Sequence, residues 1–189
     1  MLSLQRMPAL VATGSLAIPV AEALVKLPFS TLQRIEAATI DPELADTTAF
    51  SQAYGFPLAG GANCIVVAGR RGDVVTYAAC VVLASTKLDV NRTVKRLLDV
   101  RKVSFAPMDD AVRLTGMEYG GITPVGLPAD WRVYVDTRVL AAPEVVIGAG
   151  VRAAKLFLPG AVLGALPGVA VVEGLATDPA DAAPATAED

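Results

Sequence analysis

Two apolar runs on either side of a glycine-containing turn most constrain how this chain can fold. Residues 63–68 and 74–83 are dominated by valine, alanine, isoleucine and cysteine, and the segment from Gly69 to Asp73 contains two glycines. Short apolar runs bounded by turn residues predict strands, and a connection of this length predicts that they pair as neighbours. We therefore expect a β-hairpin whose strands are largely buried on both faces.

The other segments predict a single α+β domain with a mainly antiparallel or mixed sheet and flanking helices. Helix signals, including aspartate caps at Asp41 and Asp89 and proline in a first turn, lie at 19–27, 41–54, 90–98, 107–116 and 159–166. Further strands are predicted at 34–40, 102–105, 132–136, 145–149, 155–158 and 169–173.

These segments predict a domain over residues 18–176, with a short extension at each end. Residues 1–17 are an N-terminal extension, and the first fifteen are expected to be poorly ordered or loosely docked. Residues 177–189 are rich in Ala, Pro, Asp and Glu, a composition that cannot bury a core, and predict a disordered acidic tail.

Hydrophobic residues make up 53% of the chain and its mean hydropathy is +0.52, so a membrane segment has to be considered. The longest apolar stretch, residues 7–21, is interrupted by Pro8, Gly14 and Pro19 and is shorter than the roughly 20 residues that a spanning helix needs. Arg6 before it faintly resembles the start of a signal peptide, but the pattern continues into an amphipathic helix. We expect a cytoplasmic protein without a membrane partner.

The chain contains no histidine. This excludes Ser-His-Asp triads, Cys-His dyads, histidine bases and histidine-ligated zinc. Cys64 and Cys80 are too few for a structural zinc site of their own and do not suggest a disulfide scaffold. An enzyme of this composition would use backbone dipoles, carboxylates, lysines, a thiol or its own substrate. No metal or organic cofactor is expected.

The net charge of −3 arises from the C-terminal end, because residues 177–189 contain four acidic residues and no basic one. The remainder has 16 basic and 15 acidic residues, which is not the balance of a strongly basic nucleic-acid binder, and no DNA partner is expected. A local basic face remains compatible with this balance.

The glycine- and proline-rich segment 119–128 is the strongest candidate for a functional loop. Glycine allows a ligand to approach the backbone, and proline fixes the conformation of its neighbours. Successive N–H groups in such a loop can form a concavity that binds a carbonyl oxygen or an anion. The alternative interpretation is a plain surface connection.

Residues 120–126, Gly-Gly-Ile-Thr-Pro-Val-Gly, resemble the Gly-Gly-Val-Ser-Pro-Phe-Gly loop of the YbaK/prolyl-tRNA-editing family. The resemblance extends over roughly residues 34–175, and includes the hairpin, the strand at 101–106 and the segment 147–156. It implies the family's single α+β domain. It also implies hydrolysis of the ester that joins a mischarged amino acid to the terminal ribose of tRNA, either alone or together with a synthetase.

The resemblance also implies roles for individual residues. Gly120 and Pro124 match a Gly-x-x-x-Pro element that lines the pocket, and with Gly121 they would position the aminoacyl carbonyl and provide oxyanion stabilisation. Such a mechanism needs no histidine. Substrate-binding candidates are Ile122, Thr123, Gly126, Asp136, which resembles a recurrent family aspartate and could orient the loop, and Gly148, which matches a family serine. Candidates for tRNA phosphate contact are Arg92, Lys95, Arg96, Arg101, Lys102, Arg152 and Lys155, which on charge pattern alone could instead form a solvated face.

One departure from the family bears on catalysis. The family's pocket lysine lies early in the first hairpin strand, where this chain has Asn63 and Cys64. Cys64 could be a pocket thiol or a buried small hydrophobe, and no histidine is present to activate it. Asn63 could bond the substrate or satisfy local backbone. The alternatives are therefore a trans-editing deacylase, a catalytically silent relative that binds aminoacyl-tRNA or a synthetase, and an unrelated small-molecule binder.

Overall fold

A computed structural model describes residues 1–179 of the chain. The strands are β1 (Met7–Pro8), β2 (Glu36–Thr39), β3 (Ala62–Arg71), β4 (Val74–Leu83), β5 (Lys87–Leu88), β6 (Lys102–Phe105), β7 (Arg132–Asp136), β8 (Val145–Gly148), β9 (Ala154–Leu158), β10 (Val169–Val172) and β11 (Ala176–Thr177). The α-helices are α1 (Ile18–Leu24), α2 (Phe29–Leu32), α3 (Thr47–Tyr54), α4 (Lys95–Leu98), α5 (Met108–Thr115), α6 (Thr137–Ala141) and α7 (Gly160–Leu163). Short 3₁₀ turns lie at Thr13–Ser15, Pro42–Leu44 and Leu58–Gly60, and a π-helical turn at Val90–Val94.

The predicted hairpin is confirmed and lies inside a five-stranded sheet of order β10-β7-β4-β3-β6. Strands β3 and β4 pair antiparallel from Ala62↔Leu83 to Arg71↔Val74. Strand β6 adds antiparallel to β3, whereas β7 and β10 are parallel to β4 and β7 respectively. The sheet is therefore mixed, and the hairpin has a neighbour on each side.

A second, antiparallel sheet has the order β1-β2-β9-β8, and a small pair joins β5 to β11. A single parallel bridge between Gly61 and Val146 connects the beginning of β3 to β8. The two larger sheets therefore meet where the first hairpin strand begins. The expected α+β domain with a mixed, mainly antiparallel sheet is confirmed.

The largest apolar cluster fills the space between the two sheets and α1. Val20 and Leu24 of α1, Val135 of β7, Ile147 of β8 and Leu156 of β9 are all almost fully buried in it. A smaller cluster joins Phe50 of α3 and Phe157 of β9 with their neighbours. Burial of this much aliphatic surface is the main stabilising contribution to the fold.

The prediction of one helix from Asp41 to Tyr54 is wrong. Asp41 accepts a hydrogen bond from the N–H of Glu43 and begins only a 3₁₀ turn, Pro42–Leu44. Asp46 then accepts bonds from the N–H groups of Thr48 and Ala49 and begins α3. Each aspartate stabilises its own helix start, so the chain breaks between them. Helix 159–166 is likewise shorter than predicted and is confined to Gly160–Leu163.

The expectation of a loosely docked N-terminus is also wrong. Met7–Pro8 pairs with β2, Ala9 is fully buried, and Arg6 bonds Glu144 at 2.7 Å. At the other end, Thr177 pairs with Lys87 in the β5–β11 pair, and the rest of the predicted acidic tail, from residue 180, lies outside the described residues. Within residues 1–179, no helix has the length and apolarity needed to cross a bilayer.

Candidate functional site

A cavity of about 450 Å³ opens where the beginning of β3, the β8–β9 pair, the start of α3 and the predicted loop come together. Its lining mixes apolar side chains with a few polar groups and backbone of the loop, as is typical of small-molecule sites. Among the lining residues are Asp46, Thr47, Asn63, Cys64, Phe105, Tyr119, Gly120, Ile122, Gly148 and Lys155.

Three residues of the loop, Tyr119, Gly120 and Ile122, line this cavity. Gly120 has a φ of +85°, a conformation that glycine adopts at little cost. The N–H groups of Gly120 and Ile122 donate to no backbone carbonyl among the described residues, whereas that of Gly121 donates to the carbonyl of Glu118 at 2.9 Å. Two residues that line the cavity, two positions apart in sequence, therefore carry N–H groups without a backbone acceptor, and successive groups of this kind can bind an oxygen.

Glycine at position 148 allows the loop to pack against β8. An added Cβ at Gly148 would overlap the carbonyl oxygen of Gly121 and lie 2.7 Å from that of Ile122. Likewise, a Cβ at Gly121 would lie 2.6 Å from the backbone carbonyl of Val151. At both positions, the absence of a side chain leaves room for the backbone of the opposing segment.

Glu118 and Arg152 hold the loop to the β8–β9 connection. The Glu118 carboxylate accepts from the N–H of Arg152 at 2.6 Å, and the N–H of Glu118 donates to Gly150 at 2.8 Å. The Arg152 guanidinium donates to the carbonyl of Pro42 at 2.8 Å, so it ties the loop region to the turn before α3. The sequence did not predict a role for Glu118, because its partner Arg152 is 34 positions away and no local pattern relates the two residues.

Asn63 and Cys64, which stand in place of the family lysine, both line the cavity. The Asn63 side-chain oxygen accepts from the Thr47 hydroxyl at 2.7 Å, which leaves its NH₂ group as a donor. Burial, with a smaller contribution from Cys80, raises the pKa of the Cys64 thiol far above its usual value. A thiol that stays protonated is a poor nucleophile, which favours the interpretation of Cys64 as a small hydrophobe.

Lys155 lies in the cavity wall, with only 7% of its surface exposed. Its ammonium donates to the carbonyl of Ala45 at 2.7 Å and lies 5.7 Å from the ring centroid of Phe50. Burial lowers the pKa of Lys155 to about 8, with a further lowering from Arg152 that Asp46 opposes. The prediction that Lys155 extends a surface for tRNA phosphates does not fit this position.

Several predicted pocket residues lie outside this cavity. Pro124 and Gly126 line a second cavity of about 380 Å³ between α1 and residues 166–168. Thr123 is fully buried, and its hydroxyl has no hydrogen-bond partner among the described residues. With Gly121 turned toward the β8–β9 connection, Gly120 is the only member of the predicted catalytic set 120, 121 and 124 that lines the main cavity within the described residues.

Asp136 is buried at the end of β7 and caps α6. Its carboxylate accepts from the backbone N–H of Arg138 at 2.9 Å, from the Arg138 guanidinium at 3.0 Å and from the N–H of Ala176 at 2.9 Å. Burial alone would raise the pKa of Asp136, but these hydrogen bonds hold it below its usual value. Substrate binding by Asp136 does not fit this geometry, because its acceptor positions are occupied by α6 and β11.

The other predicted phosphate contacts, apart from Arg152, are exposed. Lys102 begins β6, and Phe105 at the end of the same strand lines the cavity, so the two are separated by about 10 Å. Arg70 of β3 pairs with Lys102 and adds a basic residue that the sequence pattern did not assign to this surface. The remaining exposed members are Arg92, Lys95, Arg96 and Arg101.

Comparisons with known proteins agree with this architecture. A family model described as an aminoacyl-tRNA editing domain matches residues 41–166. A crystal structure of a protein proposed to be a trans-editing enzyme for prolyl tRNA synthetase superposes with a TM-score of 0.68 at 23% identity, covering 83% of this chain and 94% of that one. The hypothetical protein APE2540 superposes with a TM-score of 0.67 at 22% identity, covering 76% and 93%. At these identities the two structures show the fold alone. No curated protein matches the chain.

Proposed function

Because this chain belongs to the aminoacyl-tRNA editing domain family, we propose that it hydrolyses the ester of a mischarged amino acid on tRNA, acting in trans. The observation that carries the proposal is the cavity of about 450 Å³, which is lined by Lys155 and by Gly120 and Ile122, whose N–H groups have no backbone acceptor among the described residues. That arrangement suits a carbonyl that becomes negatively charged during reaction. We place the protein in the cytoplasm, where its substrate would be found.

The chemistry requires few protein groups. Water adds to the carbonyl carbon of the ester, and the N–H groups of Gly120 and Ile122 stabilise the charge that develops on the carbonyl oxygen. The bond to the ribose oxygen then breaks, and that oxygen takes a proton that originates from the attacking water. The NH₂ group of Asn63, oriented by Thr47, would hold the substrate by a neutral hydrogen bond.

The exposed basic residues support tRNA as the carrier of the ester. Arg70 on β3 and Lys102 on β6 lie at the ends of their strands that are remote from the cavity, with Arg101 directly before β6, and both strands reach the cavity at their other ends. Phosphate contacts by Arg70, Arg101 and Lys102 would position an acceptor stem without reading its sequence. Binding should therefore weaken strongly as salt concentration rises.

A second candidate is a catalytically silent relative that binds aminoacyl-tRNA, or a synthetase, without cleaving. The observation that favours it is the pair Asn63 and Cys64, which places no charge at the beginning of the first hairpin strand, where the family has its lysine. The two candidates differ in one measurable quantity, the turnover of bound aminoacyl-tRNA.

The test is deacylation of tRNAs charged with alanine, cysteine, serine, threonine or proline, with wild type, Asn63→Ala and Asn91→Ala. Asn91 is exposed on the π-helical turn and serves as a matched control. We expect wild type and Asn91→Ala to cleave at least one mischarged tRNA and Asn63→Ala to cleave it about 10-fold more slowly, since one hydrogen bond is lost. Gly120→Ala is unsuitable, because its φ and the nearby Arg152 guanidinium would strain any side chain.

Wild type that binds these tRNAs and cleaves none would refute hydrolysis and leave the silent relative. Failure to bind any of them would refute hydrolysis and the binding of aminoacyl-tRNA, and would leave only a silent relative that binds a synthetase. Equal cleavage by Asn63→Ala and wild type would remove Asn63 from the site without affecting the proposed reaction.

A further inference from the structure

Lys155 is a charged residue at a buried position of β9. It lies in β9 opposite Ala38 on β2 and Gly148 on β8. Directly opposite residues of antiparallel strands project to the same face, so the long side chain extends over two positions with little or no side chain of their own. Its ammonium reaches the cavity wall beside Ala45 and Phe50.

The Lys155 ammonium forms no salt bridge among the described residues, and Asp46, the carboxylate that acts on its pKa, is not in direct contact with it. An ammonium has three donor positions, and Ala45 uses one. A buried charge without a partner lowers stability, and groups of this kind concentrate at functional sites.

The loop donors and Lys155 converge on the same space. Gly148, the cross-strand neighbour of Lys155, lies against the carbonyl oxygens of Gly121 and Ile122. The loop backbone is therefore packed on the strand next to Lys155, and Gly120 and Ile122 line the cavity together with it. The residues around this space therefore include two whose N–H groups lack a backbone acceptor and one buried cation.

We propose that Lys155 is a catalytic residue whose ammonium binds the carbonyl oxygen of the aminoacyl ester, and that β9 thereby supplies the positive charge missing from the beginning of the first hairpin strand. The inference rests on the proposed function. As water adds to the carbonyl carbon, the negative charge that forms on the carbonyl oxygen is shared between Lys155 and the loop N–H groups. The bond to the ribose oxygen then breaks, a proton from the water goes to that oxygen, and Lys155 keeps its own protons throughout.

The test compares single-turnover deacylation by wild type, Lys155→Met, Lys155→Arg and Lys87→Met, on whichever tRNA the wild type cleaves, between pH 6 and 9.5. Methionine keeps the length and apolar stem, and Lys87 is an exposed lysine of β5 outside the cavity. We expect Lys155→Met to cleave about 100-fold more slowly or worse, because a group that binds the oxyanion is lost. The affinity for tRNA should change little, because the proposed phosphate contacts are made by Arg70, Arg101 and Lys102 and not by Lys155.

A pH profile separates this role from a structural one. Asp46 and Arg152 act electrostatically on Lys155, and the Cys64 thiol and Tyr119 line the same cavity; none of these four residues changes in these variants. After subtraction of spontaneous hydrolysis, the wild-type rate should fall as pH rises through about 8. That fall should be absent from Lys155→Arg, which stays charged. The inference is overturned if folded Lys155→Met cleaves at the wild-type rate. It is also overturned if the rate of Lys155→Met falls as pH rises through about 8, as the wild-type rate should.

The inference and the proposed function fail in different ways. If the wild type cleaves no tRNA, the proposed hydrolysis is refuted, and binding of adenosine that carries alanine through a 3′-amide is compared instead. An equal dissociation constant for wild type and Lys155→Met would then refute the lysine contact as well. Weaker binding by Lys155→Met would preserve that contact in a silent relative.

Discussion

Replacing Lys155 with methionine should alter how stability depends on pH in the alkaline range. Burial lowers the pKa of Lys155 from 10.5 in the unfolded chain to about 8 in the folded one. Between these values the unfolded chain still holds the proton and the folded chain has released it. The unfolded state therefore binds more protons, and raising the pH stabilises the fold. The methionine variant lacks this contribution.

The magnitude follows from the two pKa values. Lowering the pKa from 10.5 to about 8 corresponds to about 3 kcal/mol, because each pH unit contributes about 1.4 kcal/mol. The side chain is 7% exposed, so solvent screening reduces this value little. The unfolding free energy of wild type minus that of Lys155→Met should be level below pH 8. It should then rise by about 3 kcal/mol toward pH 10.5.

Urea unfolding of wild type, Lys155→Met and Lys87→Met at several pH values from 7 to 10.5 measures this difference. Titration of the other lysines and of the tyrosines is common to all three proteins and cancels in the differences. The loss of the Lys155 bond to Ala45 shifts the Lys155→Met difference by a constant amount and does not change its slope. For Lys87→Met the difference should stay level, because that lysine is exposed. If the difference in unfolding free energy between wild type and Lys155→Met is also independent of pH, the lowered pKa of a buried Lys155 ammonium is refuted.

Two further predictions concern buried polar groups. Thr123→Val removes a hydroxyl with no partner among the described residues, so it should leave the unfolding free energy unchanged or raise it by about 1 kcal/mol. Urea unfolding checks this, and a loss of stability would show that the hydroxyl has a partner. Asp136→Asn should destabilise by about 2 kcal/mol at pH 7, because it leaves the guanidinium of Arg138, which is itself partly solvated, without its charged partner. Since the pKa of Asp136 is lowered from 3.8, the unfolded chain takes up the proton first, and the advantage of wild type over Asp136→Asn should shrink as pH falls below about 4. An advantage that is constant with pH would contradict this assignment.

Local signals were enough to predict the elements that lie close together in sequence. The hairpin, the strand at 102–105 and the Asp89 cap are confirmed, because each depends on apolar runs or on capping contacts within a few residues. The prediction of one helix from Asp41 to Tyr54 was wrong for a related reason. A strong second cap at Asp46 restarts the helix, and propensity alone does not decide between two competing caps.

The α+β class, the exclusion of histidine chemistry and the glycine-rich loop with its family resemblance could all be predicted from the residues alone. Which of these residues line the same cavity could be seen only in the folded chain. Lys155 and Ala45 are 110 positions apart, and Glu118 and Arg152 are 34 apart, so no local pattern relates them. Their contacts exist because the β8–β9 pair closes against the beginning of the hairpin. The face to which a side chain projects there depends on strand register, and register is set by the packing of the whole core.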